Sequence, residues 1–297
     1  MKGPCDLSLL DLPPGFGKYR IVESDQKIAA DGAGASKAKP VRKGSAGGKV
    51  QSLSRAIGIL RAVAEARGGI ALNMLARRVG LAPSTAHRLL TTLRHEGLVQ
   101  DDGHGLWFVG VDAFAIGSAF LRDRNIVDLA RPVMQRLMRD TKETVNLAVQ
   151  TDGEALYLAQ VECEQIMRAF SRPGSRVPMH SSAVGKALLA HMPEPAVDAI
   201  VERRGLPKLT ERTITDRGGL ENDLRMVRHQ GYAIDDAEHA IGLRCVAAPI
   251  FGPDGVAIAA VSISAPAARV PDARVQELGI AVKRAADEIG AAAGRQS

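Results

Sequence analysis

The segment between Leu72 and Leu93 constrains the fold more than any other. Leu72, Leu75, Ala76 and Val79 recur at i, i+3, i+4 and i+7, as do Ala86, Leu89, Leu90 and Leu93, so each set lines one face of a short helix. Between them stands Val79-Gly80-Leu81-Ala82, where glycine supplies the left-handed residue of a sharp turn. Pro83 then sits where a first helical turn tolerates a missing N–H. Two short helices around a glycine turn predict a helix-turn-helix, the second helix ending at Gly97.

The flanking segments extend this unit. Leu53, Ala56, Ile57, Leu60 and Ala64 are spaced as one face of a preceding helix, with Ser52 as its N-cap and Gly68 and Gly69 closing it. Leu98-Val99-Gln100 and Leu106-Trp107-Phe108-Val109 flank a polar, glycine-containing turn, which predicts a hairpin, the wing. With the apolar stripe of the third helix committed to a core, Ser84, Thr85, His87, Arg88, Thr91, Thr92 and Arg94 are left for its other faces. The first of them lie at the end that enters a major groove. Arg88 is expected to read a base, because a guanidinium pairs bidentately with guanine, and Ser84 and Thr85 to position the helix. For any one of these residues a solvated helix face would suffice; the three helices and the wing together turn the set towards DNA.

Charge agrees. Of a net +6, residues 1–110 hold 16 Lys/Arg against 9 Asp/Glu, and the remainder of the 297-residue chain 23 against 24, so a polyanion-binding part is N-terminal. Residues 1–48, rich in Gly, Ala, Ser, Lys and Pro, are expected to form a disordered basic tail. There Lys37, Lys39, Arg42, Lys43 and Lys49 either tether DNA non-specifically or decorate a solvated extension. Cys5, Cys163 and Cys245 form no CxxC or Cys/His cluster, which predicts neither disulfides nor a metal site, no cofactor, and a cytoplasmic setting. Asp6, Asp11, Pro13 and Pro14 interrupt any signal-like apolar run, and the stretch 255–268 is short of the ~20 residues a spanning helix needs, so no membrane association is expected.

The length suggests two folded units. Val111 to about Asn125 fits a connecting helix through Phe114, Ala115, Gly117, Ala119 and Leu121. Beyond it, strand-like runs flank Asp152-Gly153 and Pro253-Asp254-Gly255, two hairpin signals that predict a mixed α+β domain around an antiparallel sheet. His180-Ser181-Ser182-Ala183-Val184-Gly185-Lys186 is expected to open a helix running to about Met192, whose first N–H groups would hold an anion. A nucleotide P-loop is excluded there by His180 and Ala187 at positions that need Gly and Ser or Thr. Ser262 and Ser264, two apart on an apolar run, would point both hydroxyls to one side of a strand, unless they are simply tolerated beside a loop.

These residues, taken in order, resemble the IclR (isocitrate lyase regulator) family of bacterial repressors and activators. The similarity runs from Ser52-Leu53-Ser54-Arg55-Ala56 through LARRVGLAPSTAHRLLTTLRHEGLV, HSSAVGKALLA (180–190), GYAIDDAEHAIGLRCVAAPI (231–250) and AIAAVSIS (257–264), nearly all the chain beyond its first 48 residues. The resemblance implies an α+β protein with a winged helix-turn-helix (49–110), a linker helix (111–125) and a GAF-like effector-binding domain (126–297). It also implies homodimers or homotetramers on palindromic double-stranded operators, with Arg55, Ser84, Thr85, His87, Arg88 and Thr91 as the DNA-contacting set. Glyoxylate- and pyruvate-responsive members carry an Asp, a Cys and a Ser-x-Ser pair beside a helix start. Here these positions resemble Asp235, Cys245, Ser262 and Ser264, with Ser182, Ala183 and Val184 at the helix start. Ala183-Val184 stands where the family's glyoxylate site tends to have Gly-Ala, a bulkier lining that suits a two- or three-carbon acid. The function so implied is a repressor of a carbon-catabolic operon, not an enzyme, controlled by a small 2-oxo acid such as glyoxylate. The alternatives are an activator of aromatic-acid catabolism, a thiol enzyme built on Cys245 with an accessory DNA-binding domain, or a winged domain that binds protein.

Overall fold

The computed structural model describes residues 50–66, 68–122, 126–166, 169 and 171–295. The expected basic tail, with Cys5 and its lysines, lies outside the described residues, as do 123–125 at the end of the expected linker helix. The chain forms two compact units, one ending at Ser118 and the other beginning at Ala119.

The first unit comprises α1 (Gln51–Glu65), β1 (Ile70–Ala71), α2 (Leu72–Arg78), α3 (Pro83–His95), β2 (Val99–Asp101), β3 (Leu106–Val109) and the start of α4 (Val111–Arg122), which runs past its end. Gly80, at φ 66°, turns the chain between α2 and α3, a conformation only glycine adopts without steric cost, and Pro83 is in the first turn of α3. Leu75, Ala76, Ala86, Leu90 and Leu93 are buried with Ile59, Val63, Val99 and Trp107, so the predicted stripes of α2 and α3 meet in one core. The wing pairs β2 with β3, Val99 opposite Val109, and β3 also pairs with β1, Ile70 opposite Trp107. That third strand, two residues long, is too short to carry an alternation in the sequence.

Two expectations for α1 are corrected. The helix begins at Gln51, ahead of Ser52, and no side chain among the described residues caps it. Its buried residues are Ile59, Ala62 and Val63, whereas Leu53 and Ile57 are 59% and 42% exposed and Ala64 is exposed. In a helix this rich in Ala, Ile, Leu and Val, more than one stripe satisfies a 3.6-residue period, and packing on α3 selects a face rotated from the one predicted.

The second unit contains α5 (Ile126–Thr141), β4 (Thr144–Thr151), β5 (Glu154–Val161), β6 (Arg176–Pro178), α6 (Ala183–Leu189), α7 (Glu194–Arg204), α8 (Arg217–Gln230), β7 (Ala233–Asp236), β8 (Leu243–Phe251), β9 (Ala257–Pro266) and α9 (Asp272–Gly294). Its six strands form one antiparallel sheet in the order β6-β5-β4-β9-β8-β7. Asp152 and Gly153 both have positive φ, 52° and 76°, as a two-residue hairpin between β4 and β5 requires.

Strand alternation then sorts side chains into two layers. Val145, Leu147, Val246, Ala248, Ile250, Ala259, Val261 and Ile263 pack against α5 and α9. Ala148, Cys245, Ala247 and Ala260 face the other way, towards α6 and α8. The strands are covered on both sides, which is why β8 and β9 read as nearly unbroken apolar runs. Asn146, Ser262 and Ser264 are therefore buried polar groups on the α6 side of the sheet, where they need partners. Among the described residues no helix is long and apolar enough to cross a membrane.

Candidate functional site

On the first unit, Arg55 from α1 and Thr85, His87, Arg88, Thr91 and Thr92 from α3 line one open groove of about 560 Å3. Arg55, His87, Arg88 and Thr91 are exposed, and Arg55 and Arg88 have no acidic partner among the described residues. An unneutralised guanidinium pair on a concave face is suited to a phosphate backbone. Ser84 is exposed at the start of α3 but does not line this groove. Thr91 and Thr92 donate their hydroxyls to the carbonyls of His87 (3.0 Å) and Arg88 (3.1 Å), which leaves them as acceptors only. Arg94 belongs to the fold: it pairs with Asp101 of the wing at 2.7 Å and lies 5.9 Å over the Trp107 ring.

On the second unit, Ser182, Ala183, Val184, Asp235, Cys245, Ser262 and Ser264 all line one cavity of about 320 Å3. They come from the start of α6 and from β7, β8 and β9, brought together by the register Asp235–Cys245–Ser264 across three neighbouring strands. Asn146 of β4 donates to Ser264 Oγ (3.1 Å) and accepts from Gln160 Nε2 (3.0 Å), so Ser264 is held in place by a polar chain across the sheet. Ser262 is fully buried and its Oγ has no protein partner among the described residues. A buried hydroxyl left unbonded costs free energy, of order 1–3 kcal/mol, until something in the cavity bonds it.

The helix at this site is shorter than expected. His180 and Ser181 belong to a turn, Ser182 is the N-cap of α6, and the helix ends at Leu189. Ser182 Oγ accepts from Gly185 N at 3.2 Å and donates to Pro178 O at 2.7 Å. The backbone N–H groups of Ala183 and Val184 meet no acceptor among the described residues and border the cavity. Gly185 is required by close approach, since a Cβ there would lie 2.3 Å from the Met179 carbonyl oxygen. Lys186 is fully buried and pairs with Glu238 (2.5 Å) and Asp223 (3.2 Å); it is a structural cation, turned away from the cavity lining.

Burial raises the Asp235 carboxyl to about 7, against the lowering effect of the His239 N–H bond. Its Oδ1 accepts from the backbone N–H groups of Glu238 (2.8 Å) and His239 (3.2 Å). Burial also pushes the Cys245 thiol well above its ordinary range, and the nearby Asp235 adds to this. The thiol is thus held protonated, the opposite of what a nucleophile needs. Among the described residues no group of three or more His, Cys, Asp or Glu side chains is arranged to hold a metal ion.

The lining contains groups that sequence patterning missed: Tyr157, Ser171, Ser175, Arg176 and His239. Tyr157 and Arg176 sit on β5 and β6, far from the conspicuous blocks. His239 had no local signal: the sequence does not show that the Asp235 carboxylate folds its own chain back to accept the Glu238 and His239 N–H groups. Its ring Nδ1 is buried without a partner among the described residues.

The chain is similar to known proteins along most of its length. Residues 52–103 match the family model "IclR helix-turn-helix domain" and residues 118–291 match "Bacterial transcriptional regulator IclR C-terminal". The chain is 45% identical over 250 residues to the acetate operon repressor of Salmonella typhimurium, covering 83% of this chain and 91% of that one. It is similar to the crystal structure of the Thermotoga maritima IclR, with a TM-score of 0.67 and 32% identity over 82% of this chain and 98% of that one. It is also similar to an IclR homologue from Microbacterium hydrocarbonoxydans complexed with 4-hydroxybenzoate, with a TM-score of 0.72 and 26% identity over 83% of this chain and all of that one. The chain belongs to the IclR family of bacterial DNA-binding transcriptional regulators.

Proposed function

We propose that this protein is a cytoplasmic repressor of a carbon-catabolic operon whose hold on DNA is controlled by a small 2-oxo acid such as glyoxylate. The observation that carries the effector half is the convergence of Ser182, Ala183, Val184, Asp235, Cys245, Ser262 and Ser264 on one cavity, with Ser262 Oγ unpartnered among the described residues. In this reading the acid's carboxylate accepts from Ser262 and the Ala183 and Val184 amides. Asp235, poised near neutrality, either accepts from or donates to the ligand's second oxygen. The similarity to the acetate operon repressor supports repression in two-carbon metabolism.

The DNA half rests on the groove shared by Arg55, Thr85, His87, Arg88 and Thr91, with Ser84 at the helix start. A homodimer on a palindromic operator is supported by α4, which leaves Val111 and Phe114, three apart on one side of the helix, at least half exposed, an apolar patch a second copy would cover. The effector shifts the balance between arrangements of the oligomer with different operator affinity. The protonated, buried Cys245 supports a regulator without enzymatic turnover.

A second reading, control by a phenolic acid, has one observation in its favour. A cavity of about 320 Å3 reaches the lower end of the roughly 300–1,000 Å3 that holds drug-sized ligands, more than a two-carbon acid fills. Calorimetric titration with glyoxylate, pyruvate and protocatechuate separates the two. Binding of glyoxylate or pyruvate, weakened about tenfold or more by Ser262→Ala, supports the 2-oxo acid reading. Binding of protocatechuate alone replaces it with the phenolic one.

A further inference from the structure

The segment from Asp235 to His239 is held more tightly than a surface connection between two strands requires. Asp235 Oδ1 accepts two of its backbone N–H groups. Thr210 Oγ1 donates to the Ala237 carbonyl at 2.8 Å, and Thr213 Oγ1 to the Glu238 carbonyl at 2.7 Å. The Glu238 side chain is pinned by buried Lys186 at 2.5 Å. Under these restraints Ala237 sits at φ 58°, a left-handed conformation that costs a residue with a Cβ free energy and persists only where the surroundings over-determine it. The next residue but one, His239, lines the cavity, and its ring Nδ1 is buried and unpartnered among the described residues. A strained turn, clamped from its own carboxylate, from the Thr210–Thr213 loop and from α6, thus holds at the cavity one side chain whose buried Nδ1 has no partner among the described residues.

We propose that His239 is a ligand-contacting specificity residue, its Nδ1 bonding the oxygen on C2 of a 2-oxo acid. This rests on the effector reading of the cavity above. The division of labour follows from charge. Burial lowers the proton affinity of His239, so the ring is neutral and offers one hydrogen bond rather than a countercharge. The ligand's carboxylate is better served by the Ala183 and Val184 amides and Ser262, and the neutral ring is matched to the uncharged carbonyl oxygen or its hydrate. Sharing that oxygen with Asp235 makes the site selective against acids that lack it, because such acids leave two buried polar groups unbonded.

The test uses the full chain with glyoxylate and with acetate, which has the carboxylate but no C2 oxygen. Glyoxylate affinity is measured by calorimetry, and acetate affinity by its displacement of glyoxylate. The wild type is expected to prefer glyoxylate. His239→Leu lowers that preference about tenfold by weakening glyoxylate alone, and His239→Asn, which keeps an amide donor and acceptor, retains it within about threefold. An unchanged preference in His239→Leu, or an equal loss of both acids in both variants, overturns the assignment and leaves His239 a packing residue. If the wild type binds neither acid, the effector reading itself fails, an outcome distinct from normal wild-type binding that ignores the substitution.

Discussion

Asp235 concentrates the chemistry of the cavity in one group. Between about pH 4 and 7 the folded chain keeps a proton on Asp235 that an unfolded chain has released, so this residue's contribution to stability falls as pH rises through that window and is level above it. Asp235→Asn keeps an oxygen for the Glu238 and His239 N–H bonds and has no proton to lose. The wild-type Tm is therefore expected to decline relative to the variant between pH 4.5 and 7, read by thermal melts; parallel profiles would contradict the assignment. An anionic effector beside Asp235 raises its proton affinity further. Binding should then take up protons near neutrality and weaken as pH rises above 7, which calorimetry in buffers of differing ionisation enthalpy detects as uptake, not release. Asp235 and Cys245 were legible only through the family resemblance of their blocks, whereas the strand period by itself puts Ser262 and Ser264 on one side. The lack of a partner for Ser262 Oγ and His239 Nδ1 among the described residues was not legible, since it depends on what the elements packed around them fail to supply.

At the scale of elements, α6 is short yet central: its first residues border the cavity and its Lys186 binds Glu238, within the loop that carries His239. Lys186→Met leaves Glu238 buried without its cation, and an expected loss of about 3–5 kcal/mol is measurable by urea denaturation. A loss below about 1 kcal/mol would mean that Glu238 takes a proton instead. The helix-turn-helix was readable because Gly80, Pro83 and two apolar stripes say the same thing independently. The phase of α1 and the length of α6 were not: α1 has several competing apolar stripes, and the small apolar residues of 183–190 look alike inside and beyond a helix end. Strand β1 is visible only through its pairing with β3, a contact some 35 residues away in the chain.

For the whole molecule, the proposed function joins a cationic groove on one unit to a candidate effector cavity on the other and requires the two to be coupled. Arg88→Ala should weaken operator binding about tenfold or more and relax discrimination between operators, while Arg55→Ala should reduce the salt dependence of binding with little effect on sequence preference. Gel-shift titrations against matched and altered sites distinguish these outcomes. Phe114→Glu, placed on the exposed apolar side of α4, should shift the protein towards monomers in analytical ultracentrifugation and lower its affinity for a palindrome more than for a half-site. The most direct measurement is fluorescence anisotropy of the protein on labelled DNA from its own upstream region, at fixed salt, titrated with glyoxylate and separately with pyruvate. A glyoxylate-dependent change in DNA affinity, lost in Ser262→Ala and Asp235→Ala while their DNA binding without ligand persists, is the predicted result. An affinity for DNA that glyoxylate and pyruvate leave unchanged would contradict control by a small 2-oxo acid.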